Sequence, residues 1–86
     1  MWTVIAGKAV KRRLEKIPNP ENKRIKQALL DLRDEQKREQ LDIKPLVGRD
    51  DYRLRVGDWR LIMNIYHDKK ICIVHTLASR GDVYKK

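Results

Sequence analysis

Eighty-six residues make one small domain with room for a single hydrophobic core, and a lone cysteine excludes an internal disulfide. Lys and Arg number 21 against 12 Asp and Glu, a formal charge of +9 that goes far beyond what solubility needs, so the expected partner is a polyanion, nucleic acid before an acidic protein or an anionic membrane surface. Apolar runs last only a few residues and the first residues lack a signal peptide's basic and apolar regions, which argues against a spanning helix and secretion and for a reducing cytoplasm.

Trp2 to Ile5 reads as a short strand, and Gly7 ends it. Val10, Leu14 and Ile17 then recur at helical spacing, an amphipathic helix over Lys8 to Ile17 that Pro18 closes. Asn19-Pro20 forms the corner, with Asn19 as N-cap and Pro20 at the first helical position. Ile25, Ala28, Leu29 and Leu32 stripe a second helix from Glu21 to about Gln36. The two helices are expected to pack as a hairpin, the mixed charges from Arg33 to Glu39 forming a solvated, fraying face. Leu41 to Arg49 reads as a connector broken by Pro45 and Gly48, with Ile43, Leu46 and Val47 anchoring it to the core.

Apolar and cationic residues alternate at period two from Tyr52 to Val56, so Tyr52, Leu54 and Val56 face one way and Arg53 and Arg55 the other. Gly57-Asp58 suits a two-residue II′ turn, which would set Val56 against Trp59, Arg55 against Arg60, Leu54 against Leu61 and Arg53 against Ile62. Three guanidinium groups then share one face. Two such charges about 5 Å apart repel by roughly 1–3 kcal/mol, a pairing that weakens a sheet unless an anion belongs there. The second strand continues to Tyr66, His67 to Lys69 turn the chain, and Lys70 to Leu77 is apolar on both parities, as an interior strand would be. The expected fold is α+β over residues 1–86 as one domain: an N-terminal strand, a two-helix hairpin and a three-stranded antiparallel meander, in one sheet with the helices on one face. The other face is left for a ligand.

Other chemistry finds little support in the residues. His67 and His75 lack the Cys, Asp or His companions that a metal site or a catalytic triad would need, so no metal is expected. Cys72 reads as a small core residue. The four glycines are scattered at 7, 48, 57 and 81, so no phosphate loop and no nucleotide cofactor are indicated. Arg80-Gly-Asp82 matches a cell-adhesion tripeptide only by chance, without a secretory signal beside it. Arg80 and Tyr84 follow the last strand, where a tyrosine can stack on a base while cations hold phosphates, or can simply anchor the terminus.

Lys44-Pro-Leu-Val-Gly48, Tyr52-Arg-Leu-Arg-Val-Gly-Asp-Trp-Arg60 and Arg80-Gly-Asp-Val-Tyr84 together resemble the RelE branch of the RelE/ParE toxin superfamily of toxin–antitoxin pairs. The resemblance implies a toxin that enters the ribosomal A site and cuts messenger RNA without metal or cofactor. A ribose 2′-hydroxyl would attack the adjacent phosphorus, expel the 5′-oxygen and leave a 2′,3′-cyclic phosphate. Arg53, Arg55, Arg60 and Arg80 would surround that phosphate, Tyr84 would lie against a base, and Lys44, Arg49 and Lys85 would add RNA contacts. Many relatives carry lysine where Arg53 and Arg55 stand, or supply a Glu or His as base. Arginine is always protonated and makes a poor one, which leaves Lys44, Tyr84, Asp82, a ribosomal group and water open as proton acceptors. The same resemblance implies a cognate antitoxin, acidic where it touches the arginines and binding through an amphipathic helix or an added strand. A ParE-like inhibitor of DNA gyrase and a degenerate member that only binds antitoxin or RNA are the alternative readings.

Overall fold

The computed structural model describes residues 1–79 and has an α+β fold. Strand β1 (Thr3–Ala6) leads into helices α1 (Lys8–Glu15) and α2 (Glu21–Asp31), then a 3-10 turn (Lys37–Gln40) and strands β2 (Asp42–Pro45), β3 (Tyr52–Val56), β4 (Trp59–Tyr66) and β5 (Ile71–Ser79). The strands form one sheet in the order β1-β5-β4-β3-β2, parallel only between β1 and β5. As its two-sided apolar content implied, β5 is an interior strand.

Period decides what goes inside. Val10 and Leu14 from α1, Ile25 and Ala28 from α2, and the flanking Ile17 and Leu32 form one buried cluster with Leu54, Leu61, Met63, Cys72, Val74 and Leu77 of the sheet. Every second residue of β3 is in that set or packed against it, so Tyr52, Leu54 and Val56 meet the helices while Arg53 and Arg55 lie on the opposite face. Asn22 Nδ2 donates to the Leu14 carbonyl at 2.8 Å and ties the start of α2 to the end of α1.

Several sequence expectations are corrected. The supposed connector contains β2, whose Asp42, Ile43, Lys44 and Pro45 pair with Arg55, Leu54, Arg53 and Tyr52, so the antiparallel part has four strands. Only Ile43 of those four packs against the core, too short a pattern to read as alternation, and Pro45 is tolerated because β2 is an edge. Val47 is no anchor: it is 99% exposed, in the loop where Gly48 takes φ +75°. Helix α2 stops at Asp31, short of Gln36, because the Asp34 carboxylate accepts the backbone N–H groups of Gln36 and Lys37 at 2.8 and 3.0 Å and redirects the chain. The backbone N–H groups of Lys37 and Gln36 also hold that carboxyl below its ordinary range. Pro20 occupies the cap position and Glu21 opens the helix, with no side-chain cap from either neighbour.

The β3–β4 register agrees with the one expected from the turn, pair for pair from Val56–Trp59 to Arg53–Ile62. Gly57 has φ +60° and Asp58 is not among the positive-φ residues, as a II′ turn requires. A Cβ at Gly57 would meet nothing within 4 Å, so Gly57→Ala is expected to destabilise through backbone strain alone. The expected loss is about 1–2 kcal/mol, read as a lower denaturant midpoint at unchanged slope.

Candidate functional site

On the face away from the helices, two cross-strand rows follow from the register. One runs Lys44, Arg53, Ile62, Thr76 and the next Asp42, Arg55, Arg60, Ala78. Arg53, Arg55 and Arg60 therefore share a face as expected, and Lys44 stands beside Arg53. A single carboxylate, Asp42, lies in these rows; its Oδ1 accepts from Arg53 Nη2 at 3.3 Å and partly neutralises that cation. Arg55 is exposed and its Nε donates to the Gly57 carbonyl at 3.3 Å.

Arg60 differs from the others. It is only 7% exposed, and its Nε and Nη1 have no hydrogen-bond partner among the described residues. Burying a guanidinium with donors unpaired is costly, and the directly opposed Arg55 adds like-charge repulsion. An anion resting across Arg55 and Arg60 would relieve both. Because guanidinium donors are fixed in a planar fork, the group suited to them is a phosphate or carboxylate that accepts two parallel N–H bonds.

Arg49 is drawn elsewhere. Its Nη2 donates to Asp51 Oδ2 at 2.6 Å, so an internal acid already partners the cation expected to contact RNA. Asp51 is a buried residue, and the same Oδ2 lies 3.5 Å from His75 Nε2. In the sequence His75 has no companions. The fold supplies one because β5 bulges opposite Ile62 and Met63, pairing Thr76 with Ile62 and Val74 with Met63 and leaving His75 between them. The missed signal was parity: Asp51 precedes β3 by one residue and shares the face of Arg53 and Arg55.

The remaining sequence candidates have structural roles. His67 lies beside Tyr52, whose hydroxyl is 3.4 Å from Nε2, and edge-on to Trp2. Cys72 is buried, and burial pushes its thiol up from the ordinary range, the opposite of what a nucleophile needs. Among the described residues no group of His, Cys, Asp and Glu is placed to hold a metal ion, and no helix is long and apolar enough to cross a membrane. Arg80, Asp82, Tyr84 and Lys85 lie outside the described residues.

No family model matches the chain, and neither does any curated protein. Solved structures do match. The chain is 30% identical to a chain of the archaeal RelE–RelB complex from Pyrococcus horikoshii, covering 93% of this chain and 96% of that one with a TM-score of 0.78. It is 26% identical to a chain of the RelB–RelE antitoxin–toxin complex from Methanococcus jannaschii, with 93% and 94% covered and a TM-score of 0.74.

Proposed function

Since the chain belongs to the RelE toxin family, we propose that it is the toxin of a toxin–antitoxin pair and cleaves messenger RNA in the ribosomal A site. The observation that carries the reading is Arg60, a buried guanidinium with two N–H donors unpaired among the described residues, opposite the exposed Arg55 on the sheet face away from the helices. In the proposed reaction the 2′-oxygen attacks the neighbouring phosphorus, and the pentacovalent transition state gains negative charge on its equatorial oxygens. Preset cations stabilise that charge more than they stabilise the bound substrate, which is how they accelerate the step. Arg53 and Arg55 hold the phosphate, Arg60 belongs to the same charged group, and Lys44 tracks the RNA backbone. By family resemblance Arg80 serves the leaving-group side and Tyr84 stacks on a base. DNA lacks the 2′-hydroxyl and survives.

The partner is an antitoxin, in line with the RelB-bound state of the related structures. It is acidic where it covers the arginines, because an uncovered +9 domain binds RNA indiscriminately. The toxin itself works in the cytoplasm, on translating ribosomes. Induction in cells followed by mapping of transcript 5′ ends tests the reading. The expected result is breaks at a fixed position within codons of translated messages, absent with Arg60→Ala. Arrested growth with intact transcripts, or blocked DNA supercoiling with translation untouched, overturns it.

A further inference from the structure

We infer that His75 is the proton acceptor for the 2′-hydroxyl, with Asp51 as the positioning residue behind it. The inference rests on the cleavage reading above and supplies the one role that the arginines cannot fill. His75 stands at the bulge of β5 with its side chain 36% exposed, and its two ring nitrogens face different groups. Nε2 is 3.5 Å from the Asp51 carboxylate, and Nδ1 is 2.9 Å from the Thr76 hydroxyl. A carboxylate only accepts, so a proton on Nε2 faces Asp51 and Nδ1 is the acceptor, engaged in this structure by the Thr76 hydroxyl that the ribose hydroxyl would replace. The Nε2 to carboxylate contact is an ion-pair distance rather than a hydrogen bond, and catalytic contacts of this kind are often loose before substrate binds.

Asp51 explains itself poorly any other way. A carboxyl group that merely held Arg49 would sit at the surface, yet Asp51 is buried and its Oδ1 has no partner among the described residues. Its remaining acceptor capacity is available to an imidazolium. The location also fits the charge cluster. Thr76 pairs with Ile62, and Ile62 with Arg53, so with strands about 4.8 Å apart the imidazole row and Arg53 are about 10 Å apart at the backbone. Ile62 between them is buried, so a ribose would enter at the exposed side of His75 with its phosphate toward the arginines.

In the step, the O2′ proton passes to His75 Nδ1 as the O2′–P bond forms. The P–O5′ bond breaks, O5′ takes a proton from water, and the imidazolium later returns its own proton to water. The products are a 2′,3′-cyclic phosphate and a 5′-hydroxyl, and no oxidant or metal enters. Among the described residues the charged groups facing the imidazole are Asp51, with Arg49 on the same carboxylate, and Arg53 two positions further along; Ile62 and Met63 of β4 and Ala6 and Gly7 beside Val74 carry no titratable group.

The test is single-turnover cleavage on programmed ribosomes against pH, with thermal melts of each variant. Wild type is expected to show a rate that rises with pH and then levels. His75→Gln is expected to lose that rising limb and about 10²-fold or more in rate, and added imidazole to restore part of the rate of His75→Ala. Asp51→Asn is expected to slow the reaction at saturating protein while leaving the half-saturating concentration unchanged, because the carboxylate touches the ring and not the RNA; this variant decides alone if the His75 variants do not fold. A folded His75→Gln protein with the full rate and an unchanged profile overturns the inference while leaving the cleavage reading intact. So does a slower protein whose pH limb persists and which imidazole does not rescue. Failure of the wild type to cut overturns the reading and the inference together.

Discussion

Arg60→Met is expected to make the domain more stable while removing the proposed cleavage activity. The native guanidinium is buried beside another cation with two N–H donors unpaired among the described residues. Leaving buried donors unsatisfied costs about 1–3 kcal/mol, a penalty that an apolar side chain of similar length does not incur. The denaturant midpoint should rise with the slope unchanged. Cleavage should fall by about 10²–10³-fold, the usual loss when one preset donor to a transition-state oxygen is removed. Opposite signs in the two measurements identify a residue kept for function at the expense of the fold. A variant that is both less stable and less active would make Arg60 a structural residue.

Leu61→Ala is expected to act through folding alone. Leu61 is fully buried on the central strand, opposite Leu54 on one side and Leu77 on the other, and belongs to the cluster under both helices. Truncating such a leucine costs about 3–5 kcal/mol, from lost burial and the cavity left behind. A domain of this size holds in total only about 4–13 kcal/mol, so a large part of its stability goes. Activity should follow the folded fraction on warming and return on cooling, which separates this variant from Arg60→Met at every temperature. A folded, cold-active Leu61→Ala with an unchanged denaturant midpoint would contradict the packing described above.

The hairpin was legible because two independent signals agreed. Five residues alternate strictly from Tyr52 to Val56, and Gly57-Asp58 sets which residues face each other across the turn, so the arginine face followed from the sequence and appears in the register. Strand β2 was not legible: Asp42, Lys44 and Pro45 contribute nothing apolar, and pairing with β3 is a tertiary event that a four-residue pattern does not announce. The end of α2 was overrun because the apolar stripe continues to Leu32, whereas the decisive group is a side-chain acceptor at Asp34 that captures two N–H donors. The Asp51–His75 contact spans 24 positions of sequence and depends on one unpaired residue in β5. Periodicity carries no information about such an irregularity. Arg80, Asp82, Tyr84 and Lys85 lie outside the described residues.

If the cations on the sheet face away from the helices accelerate attack by a ribose 2′-hydroxyl, as proposed, a single substitution in the substrate abolishes the reaction. Purified protein is added to ribosomes carrying a message that is all-ribose, or has a single 2′-deoxy nucleotide where the cut falls in the A-site codon. The all-ribose message is expected to be cut to a fragment ending in a 2′,3′-cyclic phosphate, and the deoxy message to remain whole. Cutting of the deoxy message at the same place, or no cutting of either, would contradict the account.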